Sequence, residues 1–122
     1  MPRVLLIDDT PEIAELLTYS LRDQGYDVVT TGFDPAVADL IAEHHPDALV
    51  LDCSVYQMSE TLFDLVRATP ESASLPIVIV SDTPGKADAS LRARDAEHVL
   101  LIPKPFTGGQ IARALNNLLA PA

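Results

Sequence analysis

The stretch Ala48-Leu49-Val50-Leu51-Asp52 is an apolar run that ends on a carboxylate, and the interpretation of the whole chain starts from it. The run is short and lacks polar alternation, which is typical of a strand buried on both faces of a parallel sheet. Ligands of such sheets bind beyond the carboxyl ends of the strands. Asp52 is therefore placed for chemistry, although on its own it is better explained as a cap for the next turn or helix.

Composition narrows the class of protein. The chain has 122 residues, of which 48% are hydrophobic, so a single domain over residues 1–122 is expected. Its apolar runs are too short for a signal peptide or a membrane span, which predicts a cytoplasmic protein without membrane association. A formal net charge of −10 disfavours direct nucleic-acid binding. The single cysteine, Cys53, agrees with a reducing compartment, and its expected role is packing.

The rest of the chain repeats the unit of a buried strand followed by a helix. Strands are predicted at residues 3–8, 26–31, 48–52, 77–80 and 99–102. Helices are predicted to begin at Pro11, at Asp34-Pro35, after Met58, at Lys86 and after Thr107. Parallel strands joined by right-handed crossovers give a three-layer α/β sandwich with helices on both faces. We expect the flavodoxin-like strand order 2-1-3-4-5, which places strands one and three side by side.

Helical spacing predicts which side chains face the core. The expected buried residues are Ile13, Leu16, Leu17 and Leu21 in the first helix, Val37, Leu40 and Ile41 in the second, Leu62, Leu65 and Val66 in the third, and Ile111, Leu115, Leu118 and Leu119 in the last. The fourth helix, predicted over residues 86–96, offers only Ala87, Leu91 and a few further alanines. It is therefore expected to be the most mobile and least stable element.

Polar residues at the strand ends share one edge of this predicted sheet. Asp8, Asp9 and Asp52 are expected to project into one crevice, which Ser81 and Lys104 reach from strands four and five. Clustered carboxylates raise one another's pKa, and a hard cation relieves that repulsion. Magnesium accepts one or two carboxylates and shares its shell with phosphate oxygens, whereas zinc requires His or Cys ligands that are missing from this pattern.

The same residue types suit phosphoryl transfer. A carboxylate such as Asp52 is a nucleophile that forms an acyl phosphate. Lys104 is expected to pair with a carboxylate at rest and with a phosphate oxygen after transfer, and Ser81 to hydrogen-bond another phosphate oxygen. An alternative, a small flavin or phosphate-ester enzyme, is disfavoured because the chain has no glycine-rich phosphate cradle.

Over its whole length the chain resembles the receiver domain of bacterial two-component response regulators. The segments that carry the resemblance are residues 5–12, 25–29, 46–52, Ser81 and residues 104–106. The resemblance implies that Asp52 accepts phosphate from a sensor histidine kinase or a histidine phosphotransfer protein. It implies Mg²⁺ bound by Asp9, Asp52 and the backbone carbonyl of Ser54, with Asp8 acting mainly through water.

Further expectations follow from the resemblance alone. Ser81 and Lys104 move onto the phosphoryl group, and the peptide bond between Lys104 and Pro105 is cis. The face formed by helix four, strand five and helix five contacts an effector domain or a downstream protein. No separate enzymatic activity is expected beyond magnesium-dependent self-phosphorylation and slow self-dephosphorylation at Asp52.

Four positions depart from the pattern of that family. Tyr56 replaces the usual proline, Glu60 the usual glycine, and Asp82 the usual small residue after the serine. Leu101 stands where strand five usually carries the switch aromatic, so coupling through an inward-turning ring cannot operate. Tyr56, Asp82 and Leu101 motivate an alternative function, a receiver that acts as a phosphorylation-independent protein-docking module.

Overall fold

A computed structural model describes residues 1–120 of the chain. Its centre is one sheet of five parallel strands in the order β2-β1-β3-β4-β5, which confirms the predicted topology. The strands are β1 (Arg3–Asp8), β2 (Asp27–Thr31), β3 (Ala48–Asp52), β4 (Ile77–Ser81) and β5 (Val99–Pro103). Every residue of β3 and β4 is buried, as continuous apolar runs predict.

Helices cover both faces of the sheet. They are α1 (Pro11–Asp23), α2 (Val37–His44), α3 (Tyr56–Ala68), α4 (Pro84–Ala93) and α5 (Gly108–Leu119), with one 3₁₀ turn at Pro70–Ser72. The sheet has a hydrophobic core on each face, and alternate side chains of β1 point into one or the other. Val4 and Leu6 pack with α1 and α5, whereas Leu5 and Ile7 pack with α2, α3 and α4. In the described part of the chain, no helix is long and apolar enough to cross a bilayer.

Several predicted boundaries shift by a few residues. β2 begins at Asp27 instead of residue 26, and α4 covers Pro84–Ala93 instead of residues 86–96. α2 begins at Val37 because the Asp34 carboxylate accepts the N–H of Ala36 at 2.8 Å and holds the preceding residues in a turn. α3 begins at Tyr56, so the loop after β3 is shorter than predicted.

Three residues predicted to face the core are instead exposed. Leu16 is 66% exposed and Ile13 is 36% exposed, because Ala14, Leu17 and Leu21 form the inward row of α1. Leu65 is 38% exposed, since the stripe of α3 that faces the sheet is shifted toward Phe63. At about 100° per residue, a one-residue error in placing the stripe moves a side chain from core to surface.

The buried residues of α4 and the beginning of α5 agree with the predictions from the sequence. α4 buries only Ala87 and Leu91, as predicted. α5 begins with a capping box in which Thr107 and Gln110 exchange side-chain and backbone hydrogen bonds, which confirms Thr107 as its cap. Ile111 and Leu115 are fully buried, and Leu118 and Leu119 pack against the same core from its margin.

Candidate functional site

Two buried carboxylates lie next to each other at the centre of the sheet. Asp8 and Asp52 end β1 and β3 and are partners in the strand register, with exposures of 4% and 2%. Asp8 Oδ1 accepts the N–H of Thr10 at 2.8 Å, whereas Asp8 Oδ2 and Asp52 Oδ2 have no hydrogen-bond partner among the described residues. Burial, together with the negative charges of Asp52 and Asp9, raises the pKa of Asp8 to about 7.

Lys104 supplies the positive charge nearest to this pair. Its Nζ lies 2.9 Å from Asp52 Oδ1, an ion pair that lacks the geometry of a directed hydrogen bond. The backbone N–H of Lys104 donates to the Ser81 carbonyl at 2.8 Å, and the bond to Pro105 is cis, as the resemblance implies. Burial acts to lower the pKa of Lys104, but the contact with Asp52 outweighs it, so the pKa is raised and the ammonium stays charged.

The third predicted carboxylate, Asp9, is turned toward the loop that follows β3. The backbone N–H of Ser54 donates to Asp9 Oδ1 at 2.8 Å, and the Ser54 hydroxyl donates to Asp9 Oδ2. Burial acts to raise the pKa of Asp9, but these two hydrogen bonds outweigh it and lower the pKa. Asp9 is therefore ionised with both oxygens engaged by Ser54.

Asp8, Asp9 and Asp52 lie at one end of the sheet, where the charges of Asp52 and Asp9 act on Asp8. Within residues 1–120 no three Asp, Glu, His or Cys side chains are grouped so that they hold a metal ion. The Asp9 carboxylate is held by its pair of hydrogen bonds from Ser54. The two buried oxygens without partners, one on Asp8 and one on Asp52, nevertheless fit a hard cation, since buried charges require compensation.

Ser81 lies beside this pair at the end of β4 and is 3% exposed. Its hydroxyl oxygen accepts the N–H of Thr83 at 3.0 Å and lies 3.2 Å from the Thr83 hydroxyl. Thr83 is the residue that precedes α4, so the Ser81 hydroxyl is tied to the beginning of that helix. The contact between Ser81 and Thr83 was not predicted from the sequence, although a Ser-x-Thr spacing after a strand is a recognisable turn signal.

The residues that depart from the family pattern lie on several different elements of the fold. Asp82 is exposed, and its charge contributes to the raised pKa of Lys104. Tyr56, at the beginning of α3, and Leu101, in β5, both pack against the core beneath α3 and α4. Cys53 is 4% exposed, and burial raises its pKa to about 11, which agrees with a packing role.

Comparisons with known proteins identify the family of the chain. The chain matches the family model described as the response regulator receiver domain over residues 4–116. It is 31% identical to the transcriptional regulatory protein KdpE of Mycobacterium tuberculosis over 87% of this chain and 46% of that protein. It is 35% identical to a protein-glutamate methylesterase/protein-glutamine glutaminase of Burkholderia pseudomallei over 87% of this chain and 29% of that protein. The chain thus spans less than half the length of these two relatives.

Solved structures show the same fold. The receiver domain of a signal transduction histidine kinase from Syntrophus aciditrophicus superposes with a TM-score of 0.83 over 98% of this chain and 91% of that chain, at 19% identity. The receiver domain of a sensor histidine kinase from Pseudomonas aeruginosa, described with a magnesium ion in its active-site cleft, gives a TM-score of 0.78 at 22% identity, with 98% of each chain covered.

Proposed function

Because this chain belongs to the response regulator receiver domain family of two-component systems, we propose that Asp52 accepts a phosphoryl group from the phosphohistidine of a sensor histidine kinase or a histidine phosphotransfer protein. One observation carries the proposal: Asp52 is a buried carboxylate with one oxygen against Lys104 and the other without a partner. A carboxylate that served only as a helix cap would accept hydrogen bonds from backbone N–H groups, and Asp52 accepts none from the described residues.

The transfer itself needs little covalent chemistry from the protein. A bond forms between a carboxylate oxygen of Asp52 and phosphorus, while the bond from phosphorus to the donor nitrogen breaks and the imidazole leaves with that electron pair. One carboxylate oxygen of Asp52 attacks while the other remains beside a cation, and at rest Lys104 Nζ lies against Oδ1. Lys104 then stabilises the negative charge of the transferred group, which is the main requirement of phosphoryl transfer.

We propose that Asp8, Asp9 and Asp52, with the backbone carbonyl of Ser54, hold Mg²⁺ at this site. The buried, unpartnered oxygens of Asp8 and Asp52 support this assignment. When bound, the ion supplies neutralisation of the charge on the phosphoryl oxygens. The carboxylates of this chain would then be fully ionised, since a cation beside Asp8 opposes the effects that raise its pKa.

The signal is proposed to leave the site through Ser81. Once Asp52 carries a phosphoryl group, the Ser81 hydroxyl donates to it and releases the Thr83 N–H, which alters the beginning of α4. The surface formed by α4, β5 and α5 would contact an effector domain or a downstream protein in the cytoplasm. Leu101 provides no aromatic ring for this coupling, so the direct Ser81–Thr83 contact replaces it in our proposal.

Mass spectrometry of the intact protein tests the proposal. Wild type incubated with magnesium and acetyl phosphate should gain one phosphoryl group, and the Asp52→Asn variant should gain none. Asp47→Asn, which changes an exposed carboxylate that bonds to the backbone of Arg3, is the matched control and should gain the group normally. An unmodified wild type, or an equal adduct on Asp52→Asn, would overturn the proposal. Decay of the adduct measures self-dephosphorylation, which together with magnesium-dependent self-phosphorylation is the activity proposed for this domain.

A phosphorylation-independent docking module is the second candidate function. The exposed charge of Asp82 next to Ser81 and the aliphatic side chain of Leu101 favour it, since both weaken the expected response to a phosphoryl group. A partner captured from the source organism would then bind wild type and the Asp52→Asn variant equally, with or without beryllofluoride as a phosphoryl mimic. Binding that depends on the mimic and on Asp52 would exclude this function.

A further inference from the structure

We infer that Ser54 is a positioning residue that latches the Asp9 carboxylate with two hydrogen bonds, so that the Ser54 hydroxyl competes with the divalent cation for that carboxylate. The inference rests on the proposed function, because it assigns Asp9 to the metal. It goes beyond that function by naming the contact that the cation must displace. It also gives the Ser54 side chain a role distinct from the backbone carbonyl proposed as a ligand.

The hydrogen bonds of the three carboxylates support the latch. Each carboxylate has two oxygens, and in Asp9 both are occupied by Ser54. In contrast, Asp8 has one oxygen bonded to Thr10 and one free, and Asp52 has one against Lys104 and one free. The resting site therefore presents two free carboxylate oxygens, whereas a cation that approaches Asp9 Oδ2 competes with the Ser54 hydroxyl for that oxygen.

A second observation points the same way. Asp8 and Asp9 are consecutive, and Asp52 is the register partner of Asp8, so the backbone brings all three residues to one end of the sheet. Yet the described residues contain no group of three side chains arranged to hold a metal ion. Among these three carboxylates, Asp9 is the one whose two oxygens both accept hydrogen bonds from Ser54.

The two hydrogen bonds from Ser54 differ in their dependence on the side chain. Any residue other than proline donates the backbone N–H to Asp9 Oδ1, whereas only a hydroxyl or a similar donor reaches Oδ2. Replacing Ser54 with alanine removes one bond and keeps the other. A hydrogen bond to a charged group at a partly exposed site corresponds to about a tenfold change in an equilibrium constant.

Calorimetric titration with Mg²⁺, without any phosphoryl donor, tests the latch. The Ser54→Ala variant should bind Mg²⁺ about threefold to tenfold more tightly than wild type. Ser54→Thr keeps the hydroxyl and should restore an affinity close to that of wild type. Ser74→Ala removes a hydroxyl from an exposed residue away from the site and serves as the matched control, with no change expected.

Equal or weaker Mg²⁺ binding by Ser54→Ala would overturn the inference, as would the absence of measurable binding in both proteins. Thermal unfolding with and without metal separates a structural role from the latch. In both cases the lost hydrogen bond lowers the metal-free melting temperature of Ser54→Ala, but a latch predicts that saturating Mg²⁺ removes this difference, whereas a structural role leaves it in place. The acetyl phosphate experiment, run in parallel on wild type, tells the two failures apart. A wild type that gains the phosphoryl group while Ser54→Ala binds Mg²⁺ no better contradicts the latch and leaves the proposed function intact.

Discussion

Helices α4 and α5 lie on opposite faces of the sheet beside the edge strand β5, and different forces hold them there. α5 buries four side chains and begins with a capping box, whereas α4 buries only Ala87 and Leu91. The first contact of α5 with α1 is so close that a Cβ atom at Gly108 would lie 1.8 Å from the Ser20 hydroxyl oxygen. Apolar packing thus determines the position of α5, and something else must determine that of α4.

A polar network from α3 holds the end of α4. The Arg94 guanidinium donates to both carboxylate oxygens of Asp64, at 2.7 and 2.9 Å, and lies 3.4 Å from Glu60 Oε2. The Ser90 hydroxyl donates to the same Glu60 oxygen at 2.6 Å. The bidentate contact with Asp64 raises the pKa of Arg94, so the charge is permanent. We call Glu60, Asp64, Ser90 and Arg94 the α3–α4 network.

Unlike α5, α4 is attached to its surroundings at both ends by polar groups. Its beginning is tied to Ser81 through Thr83, and its end is tied to α3, which starts shortly after Asp52. Polar contacts exchange partners more readily than packed side chains do, because a single polar contact typically contributes only about 1 kcal/mol to stability. Of the two helices beside β5, α4 is therefore the one suited to respond to a change at Asp52.

The largest effect is expected from removing the packing of α5. Leu115 is fully buried among residues of β1, β3 and β4, so Leu115→Ala should lower the free energy of unfolding by roughly 2–5 kcal/mol, through lost burial and the cavity left behind. Urea denaturation measures this change in the free energy of unfolding. Leu118→Ala, at the margin of the same core, should lower the free energy of unfolding clearly less than Leu115→Ala does. Equal costs for the two variants would show that the core beneath α5 relaxes around the cavity.

The close approach of α5 to α1 gives the next effect. Gly108→Ala should cost about 1–3 kcal/mol, because the added Cβ meets Ser20 Oγ at 1.8 Å and Ser20 Cβ at 2.6 Å and forces the helices apart. Gly109→Ala is the control, and its effect on stability should have the opposite sign. A Cβ atom at Gly109 would lie 3.6 Å from its nearest neighbour, so the better helix propensity of alanine should raise the free energy of unfolding by up to about 1 kcal/mol. Similar denaturation midpoints for both variants would contradict the close contact.

The same contrast explains how much could be predicted from the sequence. The alternation of strands and helices, the edge position of β5 and the cap at Thr107 follow from local patterns, and the structure confirms each of them. The positions of Asp8 and Asp52 were predicted in the same way. Each ends a buried apolar run, which places it at the carboxyl end of its strand. These features depend on hydrophobic periodicity, which the sequence displays directly.

Polar contacts between distant residues were not predictable in this way. Arg94 and Asp64 are thirty residues apart, and nothing in their local sequence selects one partner among the chain's many acids. The direction of the Asp9 side chain likewise depends on Ser54, forty-five residues away. Arg67 shows the same limit, since it donates to the carbonyls of Ser72, Leu75, Glu97 and His98 and fastens two loops together. Such contacts require the fold to be known first.

The α3–α4 network should produce a smaller effect than the packing of α5, and a local one. Arg94→Gln should cost about 1 kcal/mol and increase amide hydrogen exchange in α4 severalfold, with little change in α5. Arg92→Gln is the matched control, because Arg92 is 80% exposed and pairs only with Asp88 of its own helix. Unchanged exchange in α4 of the Arg94 variant would mean that Ala87 and Leu91 alone hold the helix.

Salt gives the smallest effect and separates the two kinds of attachment. At 1 M NaCl the Debye length falls to about 3 Å, so the cost of Arg94→Gln should shrink by roughly half, because the network is partly exposed to solvent. The cost of Leu115→Ala should stay the same, since no charge contributes to its packing. Denaturation of wild type and both variants at low and high salt measures the two differences. If the loss of stability caused by Arg94→Gln does not change with salt, Arg94 acts through the hydrogen bond from its guanidinium to the Ser90 carbonyl at 3.1 Å instead of through its charge. The ion pairs of the α3–α4 network would then contribute little to the attachment of α4.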